Sequence, residues 1–254
     1  MTLVETYVAE LVDTVSAHLG ARLAGIWIFG SGALGDFDPR RSDLDIQAVT
    51  TTLVPLGRRR RLAAALSRGA VDCPVRGLEF VLYSRADLND PRGPAFQLNL
   101  NTGPRMDRHV AYSADDDPRF WFVLDVAIGR EHGRPLAGPA PGEVFPRLAD
   151  PLVLQALRDA LAWHRVHDAS GVSQVLAACR AWAWAADGRW RSKTEAAAWA
   201  AERLEDPSPV RLAIEGRADP TRTALSQDQV EVVTKNARRA LRLAGAATSL
   251  SRGA

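Results

Sequence analysis

Cysteine is scarce in this 254-residue sequence, and long apolar runs are absent. The two cysteines, Cys73 and Cys179, cannot build a disulfide framework or a cysteine-rich zinc site. No apolar stretch approaches the roughly 18 residues that a membrane-spanning helix needs. The first residues lack the basic start of a secretory signal and carry acids among their apolar positions. We therefore expect a cytoplasmic chain that does not interact with membranes.

A large excess of either charge is also lacking, since 32 basic and 30 acidic residues leave a net charge of +2. Dedicated nucleic-acid-binding proteins usually carry a strong basic excess, so this balance argues against a nucleic-acid partner. With 46% hydrophobic and 24% charged residues, the chain has the composition of a folded protein. Its length suits one large domain or two small ones.

Lysine is the rarest of the charged residues, with only Lys193 and Lys235 beside 30 arginines. Coding bias toward arginine explains most of this difference. A lysine that persists against such a bias is a candidate for a position where a compact ammonium group is needed.

The first part of the chain mixes strands and helices. Apolar runs predict strands at 23–30, 44–50 and 78–84, and amphipathic spacing predicts helices at 3–19 and 58–69. The segment 85–118, which follows these elements, is predicted to be irregular. The apolar stretch 120–132 fits either a strand or a helix. A mixed sheet flanked by helices follows from this order.

The character of the chain changes after residues 133–148, which hold four prolines and three glycines and predict a linker. Beyond it, alanine is abundant, and leucine and tryptophan recur at helical spacing up to about residue 248. We therefore predict an α+β protein with two domains: residues 1–148, built on the mixed sheet, and residues 149–254, an all-helical bundle.

One joint motif carries candidate chemistry. A strand runs into GSGALG at 30–35, and SDLD at 42–45 opens the next strand. Glycines such as Gly30 let the backbone approach a ligand, and free N–H groups with the Ser31 hydroxyl can cradle phosphate oxygens. A lone GSG is a common turn, and a lone Asp-x-Asp is often a solvated strand end. The joint pattern favours a functional site.

The carboxylates of this motif call for a cation. Asp43 and Asp45 are two residues apart on a predicted strand, so their side chains point to one face and repel each other. Hard oxygen ligands beside a phosphate site suggest Mg²⁺. Glu79, on the next strand, can reach the same face. Acids so arranged are typical of metal-assisted phosphoryl or nucleotidyl transfer.

This pattern resembles the nucleotidyltransferases of the DNA polymerase β superfamily. From about residue 23 to 245 the chain is similar to the aminoglycoside (3'')(9)-adenylyltransferases. The further matching segments are LEFVLYS, LDVAIGREHGRPLAGP, VLAACRAWAWAADGRWRSK and AAAWAAERL. The resemblance implies an N-terminal nucleotidyltransferase domain and a C-terminal helical domain, with ATP and an antibiotic bound in the cleft between them. It also implies resistance by Mg-ATP-dependent transfer of AMP to a hydroxyl of streptomycin or spectinomycin. We expect a monomer that uses ATP and two Mg²⁺ ions.

The resemblance also assigns roles to single residues. Glu79 matches the catalytic base, and Asp43 and Asp45 match the magnesium ligands. Together with Gly30 from the turn, the predicted ATP-binding set is Gly30, Ser31, Ser42, Asp43, Asp45, Asp125, Arg180 and Lys193. The predicted acceptor-binding set is Glu79, Trp163, His167 and Asp168.

The sequence departs from the family in three places, one of them an acidic loop between the first two helices of the second domain that is about two residues shorter. A tryptophan that streptomycin-accepting members carry after the third strand is missing from the FQLNLN segment, near Asn101. The segment 215–219 has no aromatic residue where the family has a tyrosine beside the nucleotide. Two alternatives follow: the same chemistry on another sugar-like metabolite, or a catalytically silent nucleotide-binding protein. Intact Ser31, Asp43, Asp45 and Glu79 count against the second.

Overall fold

The computed structural model describes residues 2–217 and 223–250. The chain divides into two compact units, Met1–Leu148 and Ala149–Ala254. The first contains a mixed sheet with helices, and the described part of the second is helical. The predicted fold class is therefore confirmed.

The described part of the first unit contains six strands and six α-helices. They are α1 (Leu3–Leu19), β1 (Leu23–Ile28), α2 (Gly30–Ala33), β2 (Leu44–Thr50), α3 (Leu56–Gly69), β3 (Leu78–Ser84), α4 (Arg85–Leu88), β4 (Leu98–Gly103), β5 (Met106–Ala111), α5 (Arg119–His132), β6 (Arg134–Ala137) and α6 (Pro141–Val144). The strands form one sheet in the order β5-β4-β3-β2-β1-β6. Strands β2 and β3 are parallel, and the other neighbouring pairs among the described strands are antiparallel.

Each face of the sheet carries its own hydrophobic core, because successive side chains on a strand point to opposite faces. On one face, Ile46 and Phe80 are fully buried in a cluster that includes apolar residues of α1 and α3. On the other, Trp27 and Val81 pack with Phe122 of α5. The second core covers only part of its face.

Two segments differ from the sequence prediction. The segment 85–118, predicted to be irregular, contains the β4–β5 hairpin. The segment 133–148, predicted to be a linker, belongs to the first unit: β6 pairs with β1, and Phe145 is 1% exposed. Proline is tolerated in β6 because β6 is an edge strand of the sheet.

The second unit is built around one helix. Its described helices are α7 (Asp150–His167), α8 (Val172–Asp187), α9 (Lys193–Ala201), α10 (Ser208–Gly216) and α11 (Gln227–Leu250). All four other helices pack against α8. The buried face of α8 includes the small side chains of Ala178, Cys179 and Ala181, which let the neighbouring helices approach closely.

No helix within residues 2–217 and 223–250 combines the length and the apolar character needed to cross a bilayer.

Helix α5 packs closely on Phe29, the residue that follows β1, and this contact gives a stability prediction. A Cβ added at Gly129 would lie 1.9 Å from Cε2 of Phe29. That ring is 3% exposed and packs on Phe145 with centroids 5.0 Å apart, so it has little room to move. We expect Gly129→Ala to lower the free energy of unfolding by about 1–3 kcal/mol in urea titrations.

The matched control is Gly69→Ala at the end of α3. A Cβ at that position meets nothing within 4 Å, and the backbone φ is −63°. This variant should unfold at the wild-type urea concentration or slightly above it. A Gly129→Ala protein as stable as wild type would contradict the packing argument.

Candidate functional site

A row of polar residues crosses four strands of the sheet. Asp45 on β2 lies opposite Glu79 on β3, which lies opposite Asn101 on β4 and then His109 on β5. Directly paired residues share a face, and adjacent strands are about 4.8 Å apart. Asp45 and Glu79 are both half-buried. Two carboxylates thus stand side by side at the border of the core that α5 covers.

The glycine turn lies directly against the first carboxylate. Gly30 has φ +54°, and a Cβ there would lie 1.8 Å from Oδ2 of Asp45. A side chain at position 30 would therefore be both strained and in collision with the carboxylate. The adjoining Phe29 N–H donates to the Asp45 carbonyl oxygen at 2.8 Å. Because glycine has no side chain, the Asp45 carboxylate can lie in the space that a Cβ at position 30 would fill.

The turn itself is a single turn of helix, α2. The N–H of Leu34 donates to the Gly30 carbonyl at 3.1 Å. The buried Ser31 hydroxyl has no hydrogen-bond partner within the described part of the chain. A buried hydroxyl in this condition is costly unless a ligand supplies the bond. Contact between Ser31 and ATP stays a prediction that this observation supports.

Ser42, the second predicted triphosphate contact, closes the loop before β2. Its side chain is 6% exposed, and its Oγ accepts a hydrogen bond from the Asp38 N–H at 3.0 Å. This contact gives Ser42 a structural task. Its hydroxyl proton is still available for a second acceptor such as a phosphate oxygen.

Asp43 is paired with a residue that the sequence analysis missed. Arg76 Nη1 lies 3.0 Å from Asp43 Oδ2, and the two side chains are 49% and 22% exposed. Leu44 pairs with Leu78 in the parallel β2–β3 register, which brings the residues just before both strands together. An arginine three residues before the predicted base was the available signal.

The residues present fit a magnesium ion that shares its coordination with a substrate. Within the described chain, no group of three or more histidine, cysteine or carboxylate side chains is close enough to hold a metal. Glu79 therefore does not join both aspartates in one ligand cluster. Mg²⁺ commonly binds one or two carboxylates and takes phosphate and water oxygens for the rest. The cation that already lies on Asp43 is the Arg76 guanidinium.

Asp125 lies on α5, the helix that contacts α2. It is one turn before Gly129, which packs on Phe29, so it shares that side of the helix. Burial raises the pKa of Tyr83 well above its ordinary value, and the charge of Asp125 raises it further. The predicted nucleotide-site acid thus lies on the helix that flanks the glycine turn.

In the second unit, the predicted acceptor residues cluster where α7 ends. The His167 ring stacks on Trp163 with centroids 4.3 Å apart and planes 12° from parallel. The Asp168 carboxylate accepts hydrogen bonds from the Ser170 hydroxyl at 2.7 Å and from the Gln174 N–H at 2.9 Å. These bonds fasten the α7–α8 connection. Contact of Asp168 with an acceptor stays a prediction.

The basic pair of the second unit surrounds a histidine that the sequence analysis did not select. Arg180 is half-buried on α8, and Lys193 is the first residue of α9, after the Ser192 cap. The pKa of His164 is lowered to about 4, mainly by burial and in part by the charges of Lys193 and Arg180, against the opposing charge of Asp168. The imidazole is therefore neutral at pH 7, in the electrostatic field of both predicted cations.

A second group missed by the sequence analysis lies at the outer end of the polar row. His109 Nε2 is 2.9 Å from Asp117 Oδ1, and the Asn99 amide donates to Asp117 Oδ2 at 3.0 Å. No local motif predicts this arrangement, because it joins two strands and a turn. It gives the row a polar end rather than an aromatic one.

Comparisons with known proteins identify the family. A family model described as "Aminoglycoside adenylyltransferase, C-terminal domain" matches residues 143–242. An aminoglycoside (3'')(9) adenylyltransferase from Klebsiella pneumoniae is 30% identical over 213 residues, which are 79% of each chain. This chain belongs to the aminoglycoside (3'')(9) adenylyltransferase family. It is therefore a nucleotidyltransferase, and the predicted resemblance is confirmed.

Other relatives agree with this assignment. An aminoglycoside (3'')(9) adenylyltransferase from Rhizobium radiobacter is 27% identical over 212 residues, covering 79% of this chain and 77% of the relative. The fold is similar to that of a spectinomycin adenyltransferase from Enterococcus faecialis, whose crystal structure contains ATP and spectinomycin. The TM-score is 0.73 at 15% identity, over 94% of this chain and 99% of that chain.

The buried histidine of this adenylyltransferase predicts acid sensitivity. The pKa of His164 is lowered from 6.5 to about 4 in the folded state, so the unfolded chain alone takes up a proton between these pH values. This group should therefore leave the free energy of unfolding unchanged above pH 6.5. As the pH drops to 4, the free energy of unfolding should decrease by about 2 kcal/mol, after allowance for the partial exposure of the ring.

Urea unfolding of wild type and His164→Gln, followed by tryptophan fluorescence at pH 7.5, 5.5 and 4.5, measures this effect. The difference in stability between the two proteins should shift in favour of the variant as the pH falls. A difference that stays constant from pH 7.5 to 4.5 would contradict the assignment of a neutral, buried imidazole.

Proposed function

We propose that this chain transfers AMP from Mg-ATP to a hydroxyl of an aminoglycoside or aminocyclitol antibiotic, streptomycin or spectinomycin, and so confers resistance. The observation that carries the proposal is the paired row of Asp45 and Glu79 against the Gly30–Ser31 turn. Residues 1–148 act as the nucleotidyltransferase domain. Residues 149–254 contribute nucleotide and acceptor contacts.

The triphosphate of ATP is held by the glycine turn and its flanking residues. The buried Ser31 hydroxyl, without a protein partner among the described residues, donates to a phosphate oxygen. Gly30 lets the backbone come close, and Ser42 supplies a second hydroxyl. Asp125, on the helix beside this turn, contacts the nucleotide portion of the substrate.

Asp43 and Asp45 would hold Mg²⁺, two ions being expected, which when bound neutralises the triphosphate and makes the α-phosphorus more electrophilic. The aspartates themselves fix the place of that charge relative to Glu79. The sheet register fixes the backbone of Asp45 opposite that of Glu79.

Glu79 acts as the general base. The acceptor hydroxyl has an aqueous pKa far above 7, so its proton must leave as the oxygen attacks the α-phosphorus. The new oxygen–phosphorus bond forms while the bond from the α-phosphorus to the bridging oxygen breaks. Pyrophosphate leaves with that electron pair, and the proton goes to the Glu79 carboxylate. The negative charge of Glu79 also attracts a cationic acceptor.

The second unit provides cations and an aromatic surface. Arg180 and Lys193 bind phosphate oxygens through charge-assisted hydrogen bonds. His164 is neutral at pH 7, so it does not add a third positive charge that would repel these two. The stacked Trp163 and His167 rings offer a flat face to a sugar ring, and Asp168 offers a carboxylate to its amino groups.

Replacement of the base separates binding from chemistry. Glu79→Gln keeps the shape of the side chain and loses its charge. We expect MgATP affinity close to wild type, weaker binding of a cationic acceptor and turnover reduced at least about 100-fold. Glu10→Gln, an exposed change on α1, is the matched control and should leave turnover unchanged. Wild-type turnover by Glu79→Gln would remove the base assignment.

Pyrophosphate release from MgATP tests the function itself. Streptomycin, spectinomycin and a panel of other sugar-like acceptors are compared, with Asp45→Asn as the inactive control. We expect release with streptomycin or spectinomycin. Release only with other acceptors would assign the same chemistry to another metabolite, and no release with any acceptor would favour a silent nucleotide-binding protein.

A further inference from the structure

We propose that Arg76 is the built-in counter-cation of the metal site: it keeps free divalent ions off Asp43 until ATP brings the metal. The proposal rests on the proposed function, in which Asp43 is a metal ligand. Its starting observation is the 3.0 Å contact between Arg76 Nη1 and Asp43 Oδ2. One positive group thus already occupies an oxygen that a metal would use.

The main chain holds Arg76 in place from both sides. Its N–H donates to the Ser42 carbonyl at 3.3 Å, and its own carbonyl accepts from the Arg105 N–H at 3.1 Å. The neighbouring Gly77 carbonyl accepts from the Leu44 N–H at 2.9 Å. The backbone at position 76 is therefore anchored beside the carboxylate that its side chain reaches.

The need for a cation follows from the charges on this face. Asp43, Asp45 and Glu79 bring three carboxylates to the starts of two adjacent strands. Carboxylates that lie near one another repel, and a positive group beside any of them lowers that repulsion. A guanidinium on Asp43 removes part of this repulsion in the absence of substrate.

The same contact is weak enough to be exchanged. The Arg76 side chain is 49% exposed, and exposed ion pairs contribute little to stability because water and salt screen them. A divalent ion that arrives with a triphosphate gains phosphate ligands that a free ion lacks. It can therefore displace the guanidinium, whereas a free ion must compete for Asp43 with fewer ligands.

The closing experiment measures Mn²⁺ binding without nucleotide, by calorimetry or electron paramagnetic resonance. Arg76→Gln should bind Mn²⁺ about tenfold more tightly than wild type, because one competing charge beside the ligand is gone. Arg76→Lys keeps that charge and should stay near the wild-type affinity. Arg105→Gln, an exposed change of equal charge on the neighbouring hairpin, is the matched control.

Thermal melting gives a second readout that does not depend on turnover. In metal-free buffer, Arg76→Gln should melt lower than wild type, and saturating Mn²⁺ should raise its Tm by more than it raises that of wild type. Unchanged or weaker Mn²⁺ affinity in Arg76→Gln would overturn the proposal. If instead Asp43→Asn binds Mn²⁺ as wild type does, the metal assignment of the proposed function fails, not the role of Arg76 alone.

Discussion

Two like charges held side by side on one face of a sheet are the constraint on which the rest of the site depends. The parallel register of β2 and β3 sets Asp45 opposite Glu79, and no rotation of a strand residue can move them to different faces. Everything nearby accommodates this fact. Gly30 yields the space of a side chain to the Asp45 carboxylate, and Arg76 brings a positive charge to the preceding aspartate.

This arrangement also explains why a metal-assisted reaction suits the fold. In the proposed mechanism, a divalent ion and a cationic acceptor would place positive charge beside these carboxylates. The sheet fixes in advance which strand residues face one another, as it does for Asp45 and Glu79. In the proposed mechanism, the base and both metal ligands come from two short strands and the residue before one of them.

The strands that carry this chemistry could be predicted from the sequence, because LDIQAVT and LEFVLYS are apolar enough to form buried central strands and match β2 and β3 residue by residue. The β4–β5 hairpin could not. Strand β4 has the sequence LNLNTG and lacks the apolar run that marks a buried strand. Its Asn101 belongs to the polar row, and Asn99 lies beside that row. Strand β6 was missed because its proline and flanking glycines are typical of a linker, yet an edge strand tolerates them.

The site shows the same division between local and distant signals. Ser31, Asp43 and Asp45 belong to one short motif, whose spacing alone predicted their place. Arg76 contacts Asp43, and the charges of Lys193 and Arg180 act on His164. These partners lie outside any short motif around either residue, so the local sequence does not predict the two interactions.

The proposed catalytic residues and the proposed acceptor contacts of this chain lie in different kinds of structure. Asp45 is a strand residue whose carboxylate lies where a side chain at position 30 would be, so a residue larger than glycine there would have to displace it. Trp163, His167 and Asp168 lie instead at the end of α7 and in the connection to α8. The His167 side chain is exposed, and exposed positions change at small cost in stability. The proposal therefore places acceptor preference at a helix end that can change while the carboxylate row stays the same.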